Sequence, residues 1–363
     1  MVYKKCSNSQ LSIRPADGNK VIGGVIDLVA PSNICSMTYT EVGNWALKHE
    51  DVTPLLGSEK VTHKMIIMPN KKQSNGNGCV DFGRGAAWGQ VNGDTTWFQS
   101  ASASYPAVQV HEFGHNFGMK HSGAPDNNGN YKSYADGNGY MGNKAIWNEE
   151  GSAMCFNAAK MWYFEWWSNY HKIVEPSTTV QSVKLIPLAD LKKDKYVSGA
   201  NMLLKLQSTD QSDLYITFNR AKGVNEGVRA DANKVVITEQ NGRTAVSIWK
   251  AALVQGGIYR QSNWGDTGKT LIIKVADIII GDDADADTDT ADVQIYFESF
   301  SQGKTDECTD FVPSGKNEWY DADGSDFNCQ WYSQNGRCTS FGDKYANFGK
   351  TANMACCACE EVR

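Results

Sequence analysis

The sequence predicts a mixed α/β domain built around a histidine-bearing helix, then a mainly-β domain, then a small disulfide-rich module. Three observations predict it. Strand and helix signals alternate up to about residue 171, strand signals alone dominate from 172 to 300, and six of the ten cysteines crowd into 308–359. The expected boundaries are 1–171, 172–300 and 306–363. A length of 363 residues suits two or three domains.

Residues 20–29, Lys-Val-Ile-Gly-Gly-Val-Ile-Asp-Leu-Val, read as an early strand. Residues 38–49 read as a helix: Thr38 and Glu41 have capping-box spacing, and Tyr39, Val42, Trp45, Ala46 and His49 recur at helical intervals. An apolar run over 63–69, ended by Pro69, predicts a buried strand, and a Gly/Asn-rich loop follows over 70–79. Trp88 to Trp97 reads as a strand and turn. Pro106 suits a first helical position, where its missing N–H is no loss. The helix it opens carries Val108, Val110, His111, Glu112, His115 and Phe117 and stops near Gly118. After a loop rich in Gly, Asn and Tyr, Asn157 caps a second helix over 157–168. Strand-like segments then follow at 178–186, 201–207, 214–218, 234–239, 246–249, 270–275 and 293–298, separated by turn residues as in a sandwich or barrel.

Charge and hydropathy exclude some functions. The net charge of −6 argues against a nucleic-acid or anionic-membrane role, since both need a basic face. No apolar run approaches the ~18 residues of a membrane span. Residues 281–292 hold six Asp and no base, and 306–363 hold ten acids and five bases. The Asp run is expected as a solvated loop, with calcium as a second candidate cation because alternating carboxylates can converge on one ion.

Ten cysteines predict an oxidising compartment, so a secreted or extracellular protein. Met1-Val-Tyr-Lys-Lys is polar, without the apolar segment of a signal peptide, and the start reads as truncated or mature-like. Cys6, Cys35, Cys79 and Cys155 allow three pairings, of which Cys6–Cys35 with Cys79–Cys155 is one. The six remaining, Cys308, Cys329, Cys338, Cys356, Cys357 and Cys359, allow fifteen.

Residues 111–121 carry the chemistry: His-Glu-Phe-Gly-His-Asn-Phe-Gly-Met-Lys-His. His111 and His115 lie one helical turn apart on one face, at metal-ligand spacing. Glu112 stands beside the first and can deprotonate a water on the metal. Gly118 can take a positive φ, end the helix and return His121 as a third ligand. Three histidines leave a fourth position open, as in catalytic rather than structural zinc sites.

The stretch His111 to Ser122 resembles the metzincin zinc endopeptidases, and most of all the gametolysin family (peptidase family M11). Tyr134-Ala-Asp-Gly-Asn-Gly-Tyr-Met-Gly142, Cys155-Phe-Asn-Ala-Ala-Lys-Met-Trp162, Met65–Pro69 and Trp88-Gly-Gln-Val91 are similar to other segments of that family. The resemblance implies a metzincin-like catalytic domain, zinc on His111, His115 and His121, Glu112 as general base, and Met141 as the methionine beneath the site, with Met154 its rival. Some metzincins place a tyrosine ligand two residues after this methionine. Asn143 and Phe156 stand at that spacing here, so transition-state support falls to zinc and other groups; Tyr131, Tyr134 and Tyr140 are candidates for it, with packing or rim aromatics as their first reading. The implied substrates are extracellular or cell-wall proteins and glycoproteins. The strand around 88–97 is expected to offer them an edge. The alternative is an inactive scaffold of the same fold that binds matrix or glycoprotein. Oligomeric state is left open.

Cys329-Gln-Trp-Tyr332 and Thr351-Ala-Asn-Met-Ala-Cys-Cys-Ala-Cys359 resemble the ShK toxin-like domain. That resemblance implies pairs 308–359, 329–356 and 338–357.

Overall fold

The computed structural model describes residues 2–17, 20–56, 61–68, 87–142, 154–188, 199, 201–209, 212–228, 230–281, 289–298, 310–334 and 336–362. The chain divides into two compact units, Met1–Glu298 and Ser299–Arg363.

The first unit opens with α1 (Val2–Cys6). In α2 (Tyr39–Leu47) the capping box is complete: Thr38 Oγ accepts from the Glu41 N–H, and the Glu41 carboxylate accepts from the Thr38 N–H at 2.7 Å. Strands β1 (Lys64–Met68), β2 (Ala87–Gly89) and β3 (Thr95–Gln99) form a sheet in the order β1-β3-β2, with β1 parallel and β2 antiparallel to β3. Next come α3 (Ser100–Ala103) and α4 (Pro106–Asn116), with Pro106 at the head of α4 as expected.

Residues 20–29 are not a strand. Gly23 and Gly24 both take positive φ, and Ile22 and Val25 exchange two backbone hydrogen bonds across them. That is a tight turn in the middle of the apolar run, so the run folds back instead of extending. Ile22 and Val29 stay 85% and 90% exposed.

The chain continues through β4 (Ser122–Pro125), β5 (Tyr131–Ser133), α5 (Ala158–Tyr163), β6 (His171–Ile173), β7 (Gln181–Leu185), β8 (Leu203–Leu206), β9 (Asp213–Asn219), β10 (Lys234–Gln240), β11 (Ser247–Leu253), β12 (Ile258–Gln261), β13 (Leu271–Ile279) and β14 (Thr290–Phe297). A seven-stranded sheet has the order β5-β4-β11-β10-β9-β8-β6, and a four-stranded one the order β12-β13-β14-β7. The boundary expected at 171/172 falls inside the larger sheet, because β4 pairs parallel with β11. Alternation places the larger sheet between two layers. Leu204, Leu214, Ile216 and Val235 pack with Val183, Ile273, Val293 and Ile295 of the smaller sheet. Leu203 and Tyr215 belong instead to the cluster holding Met141, Phe156, Met161 and Trp166. The helix α5 ends before the expected residue 168, since Glu165 and Trp167 turn the chain with positive φ.

Within the Asp run, residues 282–288 lie outside the described residues. Asp289 is buried and accepts from Arg220 Nε at 2.6 Å, and Asp292 of β14 meets Lys184 at 3.1 Å. This end of the run is paired sheet structure, not solvated loop.

Cys6 is bonded to Cys155, which overturns both Cys6–Cys35 and Cys79–Cys155. Tyr3 and Cys6, one helical turn apart, bury one face of α1 in the cluster that contains Cys155. Cys35 is also disulfide-bonded, and Cys79 lies outside the described residues.

The second unit is small: α6 (Cys329–Tyr332), α7 (Arg337–Phe341) and α8 (Ala352–Ala355) surround Trp319 and Tyr332. Cys329 pairs with Cys356, as the toxin-like pattern implies, but Cys338 pairs with Cys359 rather than Cys357. The pair 308–359 is thereby excluded. A turn closed by the Cys359 N–H on the Cys356 carbonyl brings 356 and 359 to one side, both buried, while Cys357 is partly exposed and bonded elsewhere. Cys308 lies outside the described residues. Among the described residues no helix is long and apolar enough to cross a membrane.

Candidate metal centre

Helix α4 is held tightly over β2 and β3. Asn116 Nδ2 donates to the carbonyls of Gln90 and Thr95 at 2.9 and 3.1 Å. Gly89 of β2 sits so close that a Cβ there would overlap the Glu112 carbonyl oxygen. Beneath the helix, Tyr3 Oη donates to the Val110 carbonyl at 2.5 Å.

The end of α4 sets the second imidazole. Gly118 has φ +96°, its N–H bonds to the His115 carbonyl at 2.8 Å, and the Met119 N–H bonds to the Gly114 carbonyl at 2.9 Å. These two bonds make a Schellman turn. The turn brings the Met119 carbonyl to 2.7 Å from His115 Nδ1. The Tyr140 carbonyl lies 2.7 Å from His111 Nδ1. A carbonyl only accepts, so in both rings Nδ1 carries the proton and Nε2 keeps its lone pair. Burial pushes the pKa of His111 down to about 3 and that of His115 down as well. Both rings are neutral donors.

His121 arrives at the head of β4. Its carbonyl accepts from the Ser247 N–H of β11 at 3.2 Å, and its Nδ1 lies 3.2 Å from Ser133 Oγ. The ligand atoms of His111, His115 and His121 lie within 4.8 Å of one another, and the Nε2 atoms of His115 and His121 are 3.1 Å apart. A tetrahedral site with Zn–N near 2.0–2.1 Å needs a nitrogen–nitrogen spacing of roughly 3.3 Å. The donor set fits a metal. Glu112 is buried beside it, with a pKa pushed up to about 8 by burial and restrained by a hydrogen bond from the Gly89 backbone. A cation at the histidines would pull that value down.

A family model described as gametolysin peptidase M11 matches residues 3–253. The chain belongs to the gametolysin peptidase family. Membership indicates a peptidase, and the three-histidine cluster suggests a metallopeptidase. The match ends with the last residue of β11, so the strand that grips His121 lies within it. No curated protein and no solved structure matches the chain.

In this gametolysin-family chain, Met141 is buried with its sulfur against Gly114, the residue just before His115. Met154 is buried in the same cluster. Asn143 lies outside the described residues, and Phe156 packs on Tyr3, Tyr140 and Trp166. Of the three tyrosines, Tyr140 is buried against Phe156 and Tyr131 is exposed. Tyr134 turns its hydroxyl to a histidine, 2.8 Å from His121 Nε2.

Sequence reasoning missed the polar hub behind the site. Asn157 Nδ2 lies 3.1 Å from Ser122 Oγ, 2.9 Å from Asp136 Oδ2 and 2.8 Å from Ser247 Oγ, while its Oδ1 caps α5 by accepting from the Lys160 N–H. Burial pushes the Asp136 carboxyl up, and hydrogen bonds from Asn157 and Asn138 oppose that. Lys160 donates to the Ala245 carbonyl at 2.7 Å, and burial pushes its pKa down to about 7. Only the capping role of Asn157 carried a sequence signal.

Proposed function

We propose that the chain is an extracellular zinc endopeptidase of the metzincin type. The observation that carries this reading is the convergence of three imidazoles beside a buried glutamate. His111, His115 and His121 would hold the zinc. Bound there, zinc supplies a Lewis acid that polarises the scissile carbonyl and acidifies a water. Glu112 is the general base. It accepts a proton as the water oxygen bonds to the carbonyl carbon, and returns it to the nitrogen as the C–N bond breaks. Gly89 holds the Glu112 carboxylate from β2, an edge strand of its sheet among the described residues. That edge offers backbone groups to an extended substrate, by strand addition. Met141 serves as the floor beneath the ligands. The disulfides support an oxidising location. The substrates are extracellular or cell-wall proteins and glycoproteins.

Zinc stoichiometry and cleavage of a denatured protein, for wild type and Glu112→Gln, test the reading. One zinc in each, with kcat lower by about 10²–10⁴-fold in the variant, is expected. One zinc without cleavage in wild type would leave a binding scaffold. A folded chain that takes no zinc would overturn the ligand assignment.

A further inference from the structure

We propose that Tyr134 is a catalytic hydrogen-bond donor, whose hydroxyl supports the negative charge gathering on the scissile carbonyl oxygen. The proposal rests on the peptidase reading above. Tyr134 Oη lies 2.8 Å from His121 Nε2, and its ring centroid stands 4.1 Å from that of His121 and 5.7 Å from that of His111. The hydroxyl therefore sits where the Nε2 atoms converge, away from the Nδ1 edges that Tyr140 and Met119 occupy. Glu112 is near enough to act electrostatically on the Tyr134 hydroxyl. The proton acceptor directly follows His111 on α4.

The backbone supports the same role. Tyr134 has φ +64°, a left-handed conformation unfavourable for an aromatic residue. It directly follows β5, where Ser133 pairs with Gly123, two residues beyond His121. The pairing fixes the strained residue relative to the ligand. Strain held by surrounding structure is a recurrent mark of functional positions.

A neutral phenol donates a single hydrogen bond. Aimed at an oxygen that becomes charged only during attack, it stabilises the transition state more than the bound substrate, so its loss lowers kcat and spares KM. Removing one such donor costs about 10²–10³-fold in kcat.

The test compares full-length wild type with Tyr134→Phe in zinc content, in kcat and KM on a peptide, and in calorimetric affinity for a phosphinic peptide, a charged tetrahedral mimic. The expected result is one zinc, a KM within about twofold, and parallel losses of about 10²-fold in kcat and in phosphinic-peptide affinity. Tyr131→Phe should leave both unchanged. Wild-type values in Tyr134→Phe would overturn the proposal. So would a folded variant that loses its zinc, since Tyr134 would then be holding the site. Wild type that takes zinc yet neither cleaves nor binds the mimic would sink the peptidase reading, and this inference with it.

Discussion

Two of the three imidazoles stand on a helix and the third at the mouth of a strand, and the two supports are built differently. The helical pair depends mostly on nearby sequence. His111 and His115 share a face of α4, and the turn at Gly118 supplies the carbonyl that orients His115. His121 is only partly buried and immediately precedes a four-residue strand rich in small side chains. It depends on groups far along the chain: the Ser247 backbone, Ser133, Tyr134, and the Asn157 hub behind Ser122. A short motif can set a helix, but a short strand has no geometry until a partner gives it one.

The sharpest way to break the joint between the two supports is to remove the Cys6–Cys155 bond, which closes a sequence separation of 149 residues. Cys6→Ser with Cys155→Ser should lower stability in denaturant unfolding by about 5 kcal/mol on the chain-entropy account. A loss under about 1 kcal/mol would mean that packing alone joins them. Asn157→Ala acts on the strand side. It removes a helix cap and leaves Asp136, Ser122 and Ser247 short of a partner, a cost of about 3 kcal/mol. Zinc affinity should fall with it while α4 stays formed, as circular dichroism would report.

The motif region was legible because its logic is local. The capping box at Thr38 and Glu41, Pro106 at the start of α4 and the positive φ of Gly118 all follow from residues within one turn of each other. The strands β4 and β5 were not legible. Ser-Gly-Ala-Pro and Tyr-Lys-Ser lack an apolar alternation, and only their alignment with β11 makes them sheet. The converse error occurred over 20–29, where an apolar run has no neighbouring strand among the described residues and two glycines close it into a turn. Asn157 was half legible: its oxygen caps a helix, a local act, while its amide collects Ser122, Asp136 and Ser247 from three other segments.

Two milder perturbations sharpen the contrast. Lys160, behind the hub, is pushed by burial to a folded pKa of about 7 from the ordinary lysine value of 10.5. The unfolded chain therefore binds the extra proton more tightly between those values. Its burial penalty is full below pH 7 and fades as pH rises towards 10.5, so this residue makes stability increase across that window. Unfolding of wild type and Lys160→Met from pH 6.5 to 10 should show the difference drifting in favour of wild type as pH rises. A constant difference would mean that Lys160 keeps its charge. Ser133→Ala, the smallest change, removes one partner of His121 Nδ1 and should weaken zinc binding about tenfold in a chelator competition. An equal weakening on replacing a residue that faces only the helical histidines would erase the asymmetry.

The pairing of β4 with β11 also bears on when the protein becomes active during its own synthesis. Ser247 leaves the ribosome 125 residues after Ser122. At about 5–20 residues per second, that is a delay of roughly 6 to 25 s. Throughout it the histidine motif is already outside the tunnel, but the strand that fixes its third member is not. A nascent chain is thus without a finished centre while it hangs among the cell's own proteins, and any fragment that stops short of β11 carries the motif without its clamp.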